Sequence, residues 1–366
     1  MAGNKNLNAA AKAKNDEFYT QYDDIQKEIN CYDRDFFRDK TILLPCDDPE
    51  WSNFTRFFAA NFEFFGLKKL ISTSYAVNSK KIKFPVQPTL WEASSPQFDA
   101  EITDSRGKIF TLERGADTGR IDIDNLQWNY LAGDGDFRSA EVKALRDEAD
   151  IIVTNPPFSL FREFLAWIVD AGKSFLIIGN VNCLTYKEVF PLIKENKIWL
   201  GASIHSGDRK FYVPDDYPLE AATCGIDEEG KRFINVKGVR WFTNLEHKKR
   251  HELMKLMTLA RNIKYSRHKE IKGVGYKKYD NYDALEVPFS NAIPSDYEGV
   301  MGVPITFLDQ YCPEQFEILG HTFAGDTSPE VEALRTDPKN RNRGMINGEI
   351  KYDRILIRWR RGAVNE

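Results

Sequence analysis

Asp150-Ile151-Ile152-Val153-Thr154-Asn155-Pro156-Pro157-Phe158-Ser159 is the stretch that decides how this chain is read. Ile151 to Thr154 are four β-branched residues in a row, the composition of a strand buried on both faces of a parallel sheet. Two consecutive prolines cannot donate to a ladder, so the strand stops there. From Leu160 to Val169 apolar residues return at helical spacing, and Ser159 stands where a helix opens. An amide, a rigid turn and an aromatic ring thus sit at the carboxyl end of a strand, where open α/β sheets bind ligands.

That arrangement suits one kind of chemistry. The exocyclic amine of a nucleobase is a poor nucleophile because its lone pair is delocalised into the ring. The Asn155 side-chain oxygen and the Pro156 carbonyl, held rigid by the diproline, are suited to accept both amine protons. This draws the nitrogen toward tetrahedral geometry and frees its lone pair. Phe158 offers a face for stacking, worth roughly 1–3 kcal/mol per base. The plainer alternative is a Pro-rich turn with Phe158 filling the core; the fixed order of amide, prolines and ring between strand and helix weighs against it. The motif resembles the catalytic signature of amino-group methyltransferases that use S-adenosylmethionine.

Working outward, the front half alternates strand and helix signals. Thr41 to Leu44 reads as a short buried strand closed by Pro45, residues 52–62 as a helix stopped by Gly66, and residues 67–75 as the next strand. A hairpin-like insertion follows (Ala100–Thr103, a turn at Ser105-Arg106-Gly107, then Lys108–Leu112), then Gly133-Asp134-Gly135-Asp136-Phe137 and a helix over 139–148. Residues 174–178 supply a strand after the helix over 160–170. This alternation predicts an α/β fold with a doubly wound, mostly parallel sheet. The rear half is less regular: Leu253, Leu256, Met257 and Ala260 form a modest helical stripe. Asn347-Gly348 predicts a type I′ hairpin between 343–346 and 349–358.

At 366 residues and 42% apolar composition, the chain can hold one large or two moderate domains with a real core. Cys31, Cys46, Cys183, Cys224 and Cys312 are scattered, without a C-x-x-C pair, and read as free thiols in a reducing cytosol. No run approaches a membrane span, and the polar start reads as a flexible tail, residues 1–15, so a soluble, cytoplasmic protein is expected. The net charge of −4 hides an asymmetry. Residues 231–280 carry 15 Lys/Arg against 4 Asp/Glu, and residues 335–361 carry 9 against 3. Phe233, Trp241, Phe242, Tyr265, Tyr276 and Tyr279 lie among the first set, which favours a nucleic-acid partner over a merely solvated basic face. Lys248, Lys249 and Arg250, with Arg358, Arg360 and Arg361, are the candidate phosphate contacts.

Asp47-Asp48-Pro49, after the first strand, suits either a cofactor's cationic group or a helix-capping turn. Asp134 and Asp136 suit either an adenine amine or ribose hydroxyl, or an ordinary Asp/Gly turn. His247 and His251 have metal-pair spacing, but Lys248, Lys249 and Arg250 between them would repel a cation, so no metal is expected. No G-x-G-x-x-G, P-loop or G-x-S-x-G occurs, which removes support for dinucleotide, nucleoside-triphosphate and serine-hydrolase readings.

Asp16 to Gln21, Cys46 to Pro49 with Ser52-Asn53-Phe54, Gly66 to Ile71 and Thr154 to Phe158 together resemble the EcoRI-type adenine-specific DNA methyltransferases. So do Trp241 to Leu245, Tyr279 to Ala284 and Gly302 to Asp309, and the resemblance runs in order over most of residues 16–360. It implies a Rossmann-like methyltransferase sheet, S-adenosylmethionine as cofactor, N6-methyladenine as product and double-stranded DNA as substrate. By the same resemblance Phe18, Tyr19 and Thr20 stand near the cofactor's methionine end. Asp47, Asp48 and Pro49 replace the general F-x-G-x-G loop. Thr73, Ser74 and Tyr75 end the second strand without the ribose-binding acid usual there. Asp136 and Phe137 flank the cofactor's adenine, and Asn155 to Phe158 form the catalytic loop.

The resulting expectation is a catalytic domain over 16–235 and a basic, mixed α+β target-recognition region over 236–366. The enzyme would be a monomer that methylates a flipped adenine at a specific DNA sequence, beside a cognate restriction endonuclease that shares the site without a stable complex. RNA or protein-glutamine amine methylation uses similar loops. A non-catalytic DNA-binding regulator on the same fold is the reading from another class. The basic, aromatic rear half weighs against a protein substrate, the resemblance against RNA, and the intact Asn155 and Phe158 against an inactive site.

Overall fold

The computed structural model describes residues 20–76, 98–99, 102–115, 126–205, 207–213, 219, 223–323, 326–337 and 343–360. The chain forms two compact units: one runs up to Glu188 and resumes over Leu200–Glu246, the other combines Val189–Trp199 with His247–Glu366.

The strands of the first unit are β1 (Thr41–Leu44), β2 (Lys69–Thr73), β3 (Lys108–Glu113), β4 (Asn129–Tyr130), β5 (Ile151–Thr154), β6 (Ser174–Asn180), β7 (Trp199–Leu200), β8 (Asp208–Tyr212), β9 (Cys224–Ile226), β10 (Arg232–Lys237) and β11 (Val239–Thr243). Eight of them make one sheet in the order β4-β3-β2-β1-β5-β6-β11-β7. The centre is parallel, with β1 paired to β2 and β5, and β5 to β6. Both flanks are antiparallel, β3 on β2 and β11 on β6, so the sheet is mixed rather than mostly parallel. The central strands, β1 and β5, are buried at every residue, as their unbroken apolar runs require. Asp150 fixes their register: its carboxylate accepts from Thr41 N at 2.8 Å and its own N–H donates to Thr41 O at 2.9 Å.

From β1 the chain crosses through the helix Asn53–Ala60 to β2 on one side; from β5 it crosses through Phe161–Val169 to β6 on the other. The strand order therefore reverses between β1 and β5, and their carboxyl ends flank a topological switch point. Ser52 caps the first of these helices, its hydroxyl accepting from Phe54 N at 3.1 Å. From that helix's buried face Phe58 meets Phe37, and both Phe57 and Phe58 meet Phe65, at ring-centroid distances of 6.0–6.1 Å. Such a ring contributes by area alone, about 1.5–3 kcal/mol for each side chain removed from water. Gly66, at φ 62°, ends the following turn Phe62–Phe65 in the left-handed conformation that favours glycine. Glu28, fully buried in the helix Tyr22–Ile29, is satisfied by Tyr32 OH, Ala202 N and Ser203 N at 2.7–2.8 Å.

Several expectations are corrected. Residues 102–106 form a turn, with Ser105 N and Arg106 N donating to Ile102 O, so they are no hairpin arm; Ala100 lies outside the described residues. β3 instead pairs with β2 and β4. Leu253, Leu256 and Met257 precede rather than join the helix Leu259–Tyr265. β8, β10 and β9 form a separate three-stranded antiparallel sheet.

In the second unit β12 (Lys277–Lys278), β13 (Leu285–Glu286), β14 (Met301–Val303), β15 (Phe316–His321) and β18 (Ile355–Trp359) form a five-stranded sheet in the order β12-β13-β14-β18-β15. β16 (Met345–Ile346) and β17 (Glu349–Ile350) make the small Asn347-Gly348 hairpin, both turn residues having positive φ. Its second arm ends at Ile350; β18 belongs to the larger sheet, so Arg354 and Arg358 do not ride on the hairpin. The segment Val189–Trp199 is built into this unit: Phe190 meets His321 at 4.5 Å between ring centroids, and Lys194 pairs with Glu330 at 3.0 Å. No helix among the described residues is long and apolar enough to cross a membrane.

Candidate active site

The site is built on the switch point. Asp47, just past β1, is buried and accepts from Ser52 Oγ at one oxygen and from Thr154 Oγ1 at the other, both at 2.6 Å. Its backbone N–H donates to Thr73 O at 2.9 Å and its carbonyl accepts from Ser72 Oγ. One residue thus ties the ends of β1, β2 and β5 to the cap of the helix Asn53–Ala60. Asp48 and Glu50 turn instead to Lys108, a buried lysine at the start of β3. Its ammonium also lies 4.9 Å from the Trp128 ring centroid. Burial, offset in part by Lys108, pushes the Glu50 carboxyl above its ordinary value. Pro49, between these two acids in sequence, is buried.

Asn155 follows directly on Thr154, half-buried, with its side-chain oxygen shielded from solvent. Pro156 is buried and Pro157 half-buried, and Leu160 N closes a turn onto Pro157 O at 3.0 Å. Phe158 opens the short 3-10 turn Phe158–Leu160 that leads into the helix Phe161–Val169. Its ring is half-buried and packs against the core.

Around the rim, Thr73 Oγ1 donates to Pro45 O at 3.2 Å, and Ser74 Oγ accepts from Lys108 N at 3.0 Å. Both hydroxyls are buried; Tyr75 is half-buried. A Cβ at Gly135 would lie 2.0 Å from Ser74 O, and one at Gly107 would lie 2.3 Å from the same oxygen, so both turns press on the end of β2. Glu141 holds the approach to that turn, accepting from Ala132 N and Gly133 N at 2.9 Å. Asp134 accepts from Asp136 N at 3.0 Å. Asp136 is engaged by Arg138 through both oxygens, at 2.9 and 2.6 Å, and this hydrogen bonding holds its carboxyl below the usual range. Phe137 is a core residue, edge-on to Phe164 and Trp167.

Of the N-terminal motif, Thr20 is described; Phe18 and Tyr19 lie outside the described residues. Thr20 O accepts from Asn53 Nδ2 at 2.7 Å, which sets this chain segment beside the same helix cap. Thr20 Oγ1 and Gln21 Nε2 are shielded from solvent and have no hydrogen-bond partner among the described residues. Gln21, Lys108, Glu50 and Arg138 escaped the sequence reading. For three of them the signal is a partner 58 residues away or a neighbour of no distinctive type. Gln21 alone stood inside a recognised stretch.

The candidate phosphate contacts, all in the second unit, divide. Lys248 and Lys249 are exposed on the short turn Lys248–His251. Arg250 lies over the Trp199 ring at 3.8 Å and donates to Asn196 at 2.9 Å. Arg358 pairs with Glu317 at 2.8 Å, and Arg360 donates to Pro313 O. Arg361 lies outside the described residues. His251 is paired to Glu314 at 2.7 Å and His247 is buried, and among the described residues no His, Cys, Asp and Glu cluster is suited to a metal.

A strand, an Asn-Pro-Pro-Phe turn and a helix at the switch point of a doubly wound sheet define an amino-group methyltransferase. The family model described as adenine-specific methyltransferase EcoRI matches residues 6–360. The chain is 43% identical over 360 residues to the Type II methyltransferase M.EcoRI of Escherichia coli, covering 98% of both chains. It is 34% identical over 367 residues to the Type II methyltransferase M.MpnI of Mycoplasma pneumoniae, covering 98% of this chain and 99% of that one. It is also 34% identical over 361 residues to the Type II methyltransferase M.MgeORF184P of Mycoplasma genitalium, covering 96% and 98%. No solved structure gave a significant match. The chain belongs to the EcoRI family of adenine-specific methyltransferases, and is itself such an enzyme.

Proposed function

We propose that this enzyme transfers the methyl group of S-adenosylmethionine to N6 of an adenine swung out of double-stranded DNA at a specific sequence. The observation that carries the reading is Asn155-Pro156 at the carboxyl end of β5, next to the switch point, in a family whose members are adenine-specific. A paired, stacked adenine cannot bring N6 to that loop, so the base must leave the helix.

The residues present fit the cofactor. Thr20 Oγ1 and Gln21 Nε2 are shielded donors without an acceptor among the described residues, and an amino-acid carboxylate is an acceptor such a pair would suit. Thr20, with Phe18 and Tyr19 of the same motif and Asp47, Asp48 and Pro49 across the cap, would hold the methionine end. Thr73, Ser74 and Tyr75 would border the ribose, and Asp136 and Phe137 would support the turn beside the adenine. When bound, S-adenosylmethionine supplies an electrophilic methyl group on a sulfonium centre.

Asn155 and the Pro156 carbonyl then accept the two N6 protons, and Phe158 stacks on the base. Because Thr154 is tied to Asp47, the acceptors are held before the base arrives and need no reorganisation during transfer. An amide oxygen and a peptide carbonyl are too weakly basic to keep the proton that the methylated amine sheds, so it leaves to water. The first unit carries this chemistry and the second recognises the target; a restriction endonuclease acting on the same site is the activity it would guard against.

Incubation with methyl-labelled cofactor and duplex DNA, RNA or protein tests the reading. Label recovered as N6-methyladenine in DNA is expected. Label in RNA or in glutamine, or none in any substrate, overturns it.

A further inference from the structure

We propose that duplex DNA docks on the face made by the helix Leu259–Tyr265, the turn after it and β12, with the cations on phosphates and Val274 entering a groove. This rests on the reading of DNA as substrate and assigns the contact to residues 261–278. Those residues hold seven cations, Arg261, Lys264, Arg267, Lys269, Lys272, Lys277 and Lys278, against one acid, Glu270. All seven cations are exposed, and none forms a salt bridge among the described residues.

In the other basic segment, four of the described cations are already paired with carboxylates. Arg354 is buried on Glu286 at 2.7 Å, Arg343 pairs with Asp353 at 2.9 Å, Arg358 with Glu317 at 2.8 Å, and Lys351 with Glu349 at 2.6 Å. A phosphate would have to displace each of those carboxylates, whereas the cations of residues 261–278 have no carboxylate within salt-bridge distance among the described residues and release mainly counterions.

The face is also clamped from beneath. Asn262, fully buried, donates to Met257 O and Ala292 O at 3.2 and 3.3 Å. His268 stacks on Phe289 at 3.7 Å and Tyr276 OH donates to Ala292 O at 2.5 Å. Ile271 is buried, and Gly273 N donates to Ile263 O at 2.8 Å. Inward side chains fix the backbone while charges point out, so little ordering entropy remains to oppose binding. Gly273 and Gly275, at φ 73° and 88°, bracket Val274 and lift it to a tip where it is 64% exposed. Tyr265, 59% exposed, stands on the same segment. An apolar tip among lysines finds its partner in a thymine methyl or an opened base step.

The test is fluorescence anisotropy with a labelled duplex of mixed sequence, titrated with salt. The full-length variant Lys269→Gln/Lys272→Gln/Lys277→Gln/Lys278→Gln should bind at least ~10-fold more weakly, its log–log salt slope flatter by about 0.9 for each lysine that held a phosphate. The matching Lys→Arg variant should keep wild-type binding. Removing four exposed charges from the first unit, at Lys27, Lys68, Lys143 and Lys187, should change neither quantity. Wild-type affinity and slope in the Gln variant overturn the docking face, while DNA labelling by the same protein would leave the proposed reaction standing. A failure to label DNA, with binding still lost in the Gln variant, would sink the reaction and keep the face. A stronger dependence of an RNA hairpin than of the duplex on these lysines overturns the choice of partner. Once the methylated sequence is mapped, Val274→Ser should narrow the preference for it over a scrambled duplex with the salt slope unchanged; an unaltered preference removes the groove contact.

Discussion

Asp47 and Asn155 lie at adjoining strand ends, yet their work differs in kind. Asn155→Ala removes an acceptor aimed at the reacting amine and leaves the diproline turn. Turnover should fall by about 3–4 kcal/mol of barrier, by analogy with loss of one oxyanion-hole donor. Cofactor binding by calorimetry should stay near wild type; near-normal turnover would remove Asn155 from the chemistry. Thr154→Val acts one bond further back. It deprives a buried carboxylate of one of its two hydroxyl donors at 2.6 Å, and an unsatisfied buried group costs about 1–3 kcal/mol, more when charged. Thermal melting should report that loss in full, along with a lower turnover that Thr154→Ser restores. Asn155 stood out in the sequence because it falls between a β-branched run and two prolines. Lys108 did not, because its carboxylate partners follow β1 while it opens β3, and only the fold brings them together.

The loop, the turn and the strand carry a second set of consequences. Phe158→Ala should lose the stacking face and much of the turnover, while Phe158→Trp keeps most of it; a 2-aminopurine at the target position should brighten on binding wild type. Turnover unaffected by Phe158→Ala would return the ring to the core alone. Gly135→Ala puts a methyl group 2.0 Å from Ser74 O at a φ of 82°, so the turn must move off the end of β2. Cofactor affinity should drop more than the melting temperature, because the shift falls on the rim rather than the core. Element existence was readable wherever one period dominated: β1 and β5 are where their apolar runs put them, and Gly66 ends its helix. The stripe at Leu253, Leu256 and Met257 misled because these residues lie in an irregular segment before the helix, and periodicity cannot tell that from a helix turn. The Asn347-Gly348 signal set the turn correctly but not the length of its arms, since Ile355–Trp359 is claimed by β14 and β15.

Across the molecule, ion pairs at the surface and in the interior should respond to pH and mutation differently. Arg138 holds the Asp136 carboxyl below the usual range, so the folded state releases that proton more readily than the unfolded chain. The stability this gives is complete above the ordinary carboxylate range and is lost as pH falls through the lowered value. The difference in melting temperature between wild type and Arg138→Gln should therefore be largest near neutrality and vanish in strong acid; a pH-independent difference would mean the arginine acts by packing. Arg354 and Glu286 are a buried pair, and Arg354→Ala should destabilise the second unit by about 3–5 kcal/mol by stranding a carboxylate. The charge asymmetry suggested a division of the chain, but nothing in the composition of Val189–Trp199 sets it apart from its flanks or announces its place in the rear unit. That assignment has a consequence for inheritance. Because the chain leaves the first unit at Val189 and re-enters it at Leu200, no single cut in the gene separates the two. A front piece ending at Glu246 would carry a stray segment that belongs elsewhere, and a rear piece starting at His247 would lack it. Exchange of either unit as a whole would therefore need more than one breakpoint in the reading frame.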